Sequence, residues 1–159
     1  LNFSRSTFLE PYAVEHICTV CDKYEISKAF LEVEITESLG DLETESIALV
    51  AKKYAEAGIR LALDDFGAKC SNISIFGNIP FTTLKMDKSM VDDIGLNPKI
   101  LDIAEAIIKL CHKHDIHVVA EGVEQKEQLR LLRSIKCDIV QGYFINKPLP
   151  IADFERIYN

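Results

Sequence analysis

A chain of 159 residues is long enough for one domain with its own core, and a 48% apolar content excludes a disordered chain. The 25 acidic and 18 basic side chains leave a formal charge of −7, which excludes the broad basic face that DNA and RNA require. A phosphate ligand stays open, because bound cations reverse a local field. No apolar run reaches the length of a membrane span and no secretory leader is present. Five cysteines, an odd number, do not form a disulfide framework, so the expected compartment is reducing and cytoplasmic. The first residue is Leu1 rather than Met, so the chain reads as an excised piece of a longer polypeptide, one whose other domains could attach it to a membrane.

In chain order, Leu1–Phe3 reads as a strand stub. Val14, Ile17, Cys18 and Cys21 form a helical stripe, which assigns the Cys-x-x-Cys pair to packing; no second pair exists to complete a zinc site. Leu31–Ile35 alternates at period two and predicts a strand. Ile47, Val50, Ala51, Tyr54 and Ala55 predict a helix over 45–57, with Gly58 at its C-terminal cap. Leu61–Leu63 is the next strand, followed by a loop with Gly77 and Pro80, then a strand at Thr82–Met86. Asn97-Pro98 opens a helix carrying Ile100, Ile103, Ala104, Ile107, Ile108 and Cys111 on one face. Strand Ile116–Ala120, a helix over about Gln125–Ser134 and strand Asp138–Val140 complete the series. Lys52-Lys53 and the run Glu127–Arg133 read as solvated helix faces. His112, His114 and His117 read as helix-terminus cations or solvated residues.

Strand–helix repeats with short links predict a parallel sheet with crossover helices. A doubly wound sheet and a (β/α)8 TIM-type barrel compete. No Gly-x-Gly-x-x-Gly follows a strand, so the dinucleotide-binding version of the first has no support. A full barrel needs roughly 250 residues. The expected fold is therefore α/β, an incomplete (β/α)8 barrel, with residues 1–159 forming the C-terminal portion of one domain.

Each predicted strand ends in polar chemistry: Asn2; Glu34 with Glu37; Asp64 and Asp65; Lys85; Glu121 with Glu124; Gln141. The carboxyl ends of parallel strands open on one side, so these residues would share a rim. Acids gathered there repel and lose hydration unless cations hold them. Hard oxygen donors suit Mg²⁺, Mn²⁺ or Ca²⁺ better than Zn²⁺. Adjacent aspartates can serve two ions, which activate water for phosphoryl chemistry.

The segments Glu34-Ile-Thr-Glu37-Ser, Asp64-Asp-Phe-Gly67, Lys85-Met-Asp87-Lys-Ser89, Ala120-Glu-Gly-Val-Glu124 and Gln141-Gly-Tyr143, with Asn2-Phe-Ser4 before them and Lys147-Pro-Leu149 after, resemble the ordered motifs of EAL domains. That resemblance implies a TIM-barrel phosphodiesterase that opens cyclic dimeric GMP to its linear dinucleotide, uses Mg²⁺ or Mn²⁺ (two ions), and is inhibited by Ca²⁺. It implies that Asn2, Glu34 and Asp64 hold one ion. Asp64, Asp65 and Glu121 would hold the other. Lys85 would contact the hydrolytic water or the phosphate, and Glu121 would be the general base. Glu124 and Gln141 would complete the polar shell, and Glu37 would anchor the loop after Asp65. Two departures stand out. No Glu-Ala-Leu tripeptide occurs; in the family it lies upstream, so its absence is expected of a truncated domain, as is an upstream sensor or diguanylate cyclase. Asp-Asp-Phe-Gly continues with Ala68-Lys69-Cys70-Ser71 instead of Thr-Gly-Tyr-Ser, which raises the alternative of a receptor that binds without cutting. Exposed strand edges of a partial barrel predict self-association and an inactive fragment.

Overall fold

Five short strands pair in the order in which the chain makes them: β1 (Glu32–Thr36), β2 (Arg60–Phe66), β3 (Thr83–Met86), β4 (His117–Ala120) and β5 (Ile139–Val140). All four pairings are parallel. The computed structural model describes residues 1–36, 44–68 and 77–158. The stub expected at Leu1–Phe3 is a single parallel bridge, Asn2 beside Glu34. Seven α-helices are described, α1 (Arg5–Phe8), α2 (Ala13–Lys23), α3 (Thr44–Glu56), α4 (Lys88–Ile94), α5 (Pro98–Lys113), α6 (Lys126–Ser134) and α7 (Ile151–Tyr158), with a short 3-10 turn at Lys28–Phe30.

Strand order decides between the two architectures. A doubly wound sheet reverses its strand order at a switch point, whereas this sheet runs monotonically from β1 to β5. Right-handed crossovers then place every connecting helix on the same face. Among the described residues β1 and β5 do not pair, so the sheet is an open part of a TIM-type barrel.

Alternation along each strand separates the two faces. Val33 and Ile35, Leu61 and Leu63, Leu84 and Met86, Val118 and Ala120 are buried in one cluster with the helices. Ile108 of α5 sits in that cluster fully buried, a contribution of about 1.5–3 kcal/mol. The alternate positions turn the other way and carry Glu32, Glu34, Asp64, Thr83 and Lys85, with Ala62 and Val119 as the apolar members of that face. Thr83 Oγ1 there donates to Glu32 Oε1 at 2.6 Å.

Helix boundaries follow their caps. Asn97 Oδ1 accepts from Lys99 N at 3.0 Å with Pro98 in the first turn. α3 ends before Gly58, where Ile59 N donates to Tyr54 O. Cys21 is buried on α2 with Ile17, as packing required. Three helices have no counterpart in the sequence reading: α1, α4 and α7. α4 had a legible start, since Asp87 Oδ1 accepts from Ser89 N at 2.9 Å and Met90, Val91 and Ile94 are buried behind it. Strand ends differ from expectation by one residue, except that β2 runs three residues past Leu63 to Phe66.

β5 is the informative case, because it begins at Ile139, not Asp138. The carboxylate of Asp138, not its main chain, takes the Val118 N–H (2.8 Å to Oδ2). His112 Nε2 lies 2.9 Å from the same oxygen, so this histidine is paired. Partial burial opposes the Asp138 charge, but the Val118 N–H and His112 outweigh it and hold the carboxyl below its ordinary 3.8. A depressed pKa stabilises the fold above the ordinary value, and that stability is lost as pH falls through the lower folded value. Asp138→Asn is therefore expected to cost about 1 kcal/mol at neutral pH. The gap to the parent should close as pH drops below about 4, measured by urea midpoints across pH.

Candidate functional site

Asp64 and Asp65 lie inside β2, not after it. Leu63 pairs with Leu84 and Phe66 with Met86, so two residues of β2 face one residue of β3, and that residue is Lys85. This is a β-bulge. In a regular strand adjacent side chains point to opposite faces. Here Asp65 takes φ +56°, the left-handed region that aspartate tolerates better than most residues. The turn swings its carboxylate to the side of Asp64. A strand reading that stopped at Leu63 missed this, because two adjacent acids look like the end of a strand.

Three carboxylates surround Lys85 Nζ: Asp64 Oδ1 at 2.9 Å, Glu121 Oε1 at 3.0 Å and Glu34 Oε2 at 3.4 Å. Glu34 comes from β1, Asp64 from β2, Lys85 from β3, and Glu121 directly follows β4, where its N–H donates to Met86 O. Lys85 is 9% exposed. Burial works against its charge, but Asp64 and Glu121 outweigh burial and hold the ammonium above its ordinary range. Glu121 is raised as well. Burial comes first, Lys85 pulls it down, and Asp64 and Glu34 push it back up. Both partners of one ion pair move upward because the acids outnumber the base.

With Asp65 the site holds four carboxylates and one ammonium, a formal −3. Oxygens of Asp64, Asp65 and Glu121 lie within 4.8 Å of one another. Asp64 Oδ1 is buried; its contact with Lys85 is an ion pair without the alignment of a hydrogen bond, and it accepts none. A buried carboxylate oxygen that takes an ammonium but no aligned hydrogen bond, among hard donors, fits a divalent cation.

The remaining predicted residues fall in three places. Asn2 runs beside Glu34, with Phe3 N donating to Glu34 O and Glu34 N to Leu1 O. Gln141 ties the rim through its main chain: its N–H donates to Ala120 O at 2.8 Å and its carbonyl accepts from Val123 N at 3.0 Å. Glu124 does not join the acidic cluster; it pairs with Lys88 Nζ at 3.2 Å. Glu37 and the stretch Lys69–Ser71 lie outside the described residues.

Two glycines let the rim close. Gly122 has φ +68°, and a Cβ there would sit 2.4 Å from Lys88 Cγ. A Cβ on Gly142 would sit 2.3 Å from the Val123 main chain. The sequence reading passed over three residues behind this rim: Lys88, Asp92 and Gln128. Gln128 lies in the run taken for a solvated face, yet it is 4% exposed, and Leu132 beside it is fully buried. The available signal was the spacing Gln125-x-x-Gln128 at a helix start, the pattern of a capping box.

Comparison with known proteins bears on this geometry. The family model described as EAL domain matches residues 1–148. The chain belongs to the EAL domain family. It is 37% identical over 156 residues to the signaling protein YkoW of Bacillus subtilis, covering 98% of this chain and 20% of that protein. It is 34% identical over 142 residues to the cyclic di-GMP phosphodiesterase NbdA of Pseudomonas aeruginosa, covering 89% and 18%. This EAL chain thus spans about a fifth of the length of these relatives. Among solved structures, the EAL enzyme Bd1971 with cAMP and cyclic-di-GMP bound superposes at TM-score 0.91 with 27% identity, covering 99% of this chain and 42% of the other. The EAL domain of Mycobacterium smegmatis DcpA superposes at 0.90 with 29% identity, covering 98% and 70%.

Proposed function

We propose that this EAL chain carries the catalytic rim of a metal-dependent phosphodiesterase that hydrolyses cyclic dimeric GMP to the linear dinucleotide. The observation that carries the reading is the meeting of Asp64, Asp65 and Glu121 oxygens beside Lys85. The name of NbdA and the ligand of Bd1971 give the substrate class. Asn2, Glu34 and Asp64 would hold one divalent ion, and Asp64, Asp65 and Glu121 a second. Bound Mg²⁺ or Mn²⁺ supplies Lewis acidity and a water of lowered pKa. Glu121 takes the proton of the attacking water. One P–O ester bond breaks as the water oxygen bonds to phosphorus, and the departing ribose oxygen takes up a proton from solvent to become a hydroxyl. Lys85 offers its charge to a phosphate oxygen, and Glu34 keeps the ammonium aimed at the rim. Gln141 holds the turn after Glu121 in place through its main chain.

The reading extends to compartment and assembly. A cytoplasmic site of action belongs to the same proposal, and among the described residues no helix is long and apolar enough to cross a membrane. α7 exposes Ile151, Phe154 and Ile157, and β5 ends the sheet. Both features favour self-association of the 159 residues alone.

One departure favours a second reading, a receptor that binds the cyclic dinucleotide without cutting it: Ala68-Lys69-Cys70-Ser71 replaces the family's usual continuation. Liquid chromatography of cyclic dimeric GMP incubated with Mn²⁺ and the complete polypeptide that carries these residues separates the two. Linear dinucleotide is the expected product. Saturable binding without product selects the receptor, and neither binding nor product removes both readings.

A further inference from the structure

Behind the acidic rim lies a closed ring of polar contacts that no step of the proposed reaction uses. Gln128 is nearly fully buried on α6. Its Oε1 accepts from both Glu124 N and Gln125 N at 2.9 Å. Its Nε2 donates to Asp92 Oδ1 of α4 at 3.0 Å. The same oxygen accepts from Lys88 Nζ at 3.1 Å. Lys88 then returns to the turn, reaching Glu124 Oε1 at 3.2 Å and Gly122 O at 3.5 Å. The ring therefore grips the segment Glu121–Gln125 from two helices. It holds three main-chain groups and one side chain of a turn that starts at Glu121.

We propose that Gln128 is a positioning residue for Glu121, acting through Asp92 and Lys88 to fix the turn that carries the base. The inference rests on the phosphodiesterase reading for its kinetic arm only. Three features support it. A buried amide with both ends satisfied is rigid, and loss of either partner leaves buried groups unpaired. The start and middle of the turn have anchors of their own, Glu121 N–H on Met86 O and the buried Val123 on Gln141 and Phe144, while Glu124 and Gln125 place their N–H groups on Gln128. Small displacements of a reacting group are expensive, with about 1 Å enough to lose 10²-fold in rate.

The test uses the complete polypeptide with three variants. Gln128→Leu keeps volume and removes every bond. Gln128→Glu keeps both acceptor contacts but faces the Asp92 carboxylate with nothing to donate. Gln128→Glu with Asp92→Asn removes that facing charge and restores a donor, now on residue 92; the amide nitrogen gives up the Lys88 contact there, and Lys88 keeps Glu124 Oε1 and Gly122 O. We expect kcat to fall roughly 10–100-fold in both single variants with KM within about twofold. The amides of Glu124 and Gln125 should exchange with D₂O faster in Gln128→Leu, and Mn²⁺ affinity should weaken in parallel with kcat. The double variant should recover most of the loss. A merely structural role would lower the melting temperature of Gln128→Leu while leaving kcat and Mn²⁺ affinity at wild-type values below it, and that result overturns the proposal. A double variant no better than Gln128→Glu overturns it too. If the parent releases no product at all, hydrolysis is refuted, and the exchange and Mn²⁺ arms decide the positioning role without it.

Discussion

Lys85→Met is expected to lower the metal-free unfolding free energy by roughly 3–5 kcal/mol, the usual cost of stripping one partner from a buried ionic cluster. The reason is the charge count. Lys85 Nζ is within 3.4 Å of three carboxylates, two from strands and one from the turn after β4, and without it Glu34, Asp64 and Glu121 repel one another in a largely buried place. The shape of methionine matches the lysine stem, so the loss is electrostatic rather than a cavity. Divalent cations should reverse much of it. Mn²⁺ at about 100 times its Kd returns some 2.7 kcal/mol by mass action, and the variant should gain more from the ion than the parent does. Urea titrations with EDTA and with Mn²⁺ measure both numbers. A deficit of the same size with and without Mn²⁺ would mean that the acids do not share an ion. Hydrolysis should fall at least ~100-fold in either case.

Glu121→Gln should act in the opposite sense on stability and more severely on rate. Glu121 is raised because burial, Asp64 and Glu34 together outweigh Lys85. A group whose folded pKa lies above its unfolded value destabilises the fold once it is charged. Neutral glutamine removes that repulsion at nearly constant shape, so the metal-free melting temperature should rise. The rate should fall by about 10²–10⁴, because the amide cannot take a proton from water. A variant that melts lower than the parent without metal would contradict the burial argument, and one that retains its rate would move the base elsewhere.

The outline of the fold was legible in the sequence because the helix-facing positions repeat at the two structural periods. Val33 and Ile35, and Ile108 with Cys111, announce a strand and a helix without help from neighbours. Glu34, Asp64 and Lys85 could be placed on one rim from parallel topology alone. What could not be read is what depends on contacts between elements. The bulge at Asp64–Asp65 exists only against β3, so period two ended the strand three residues early. Gln128 looks solvated within its own helix, and only the approach of α4 and the Glu124 turn buries it. Asp138 reads as a strand residue until its side chain takes a bond that main chain usually takes. The stripe Ile151, Phe154 and Ile157 of α7 has helical spacing and could have been read, and those residues stay exposed among the described residues.

The conformation of Asp65 has a consequence for which substitutions that position can accept. Its backbone admits glycine, asparagine or aspartate cheaply, whereas the proposed metal role asks for a negatively charged oxygen on a short arm. Glutamate meets the second demand and strains the first; glycine and asparagine do the reverse. Aspartate alone satisfies both, so drift at residue 65 should be narrower than at Glu34, where an ordinary strand leaves the main chain indifferent to the side chain it carries.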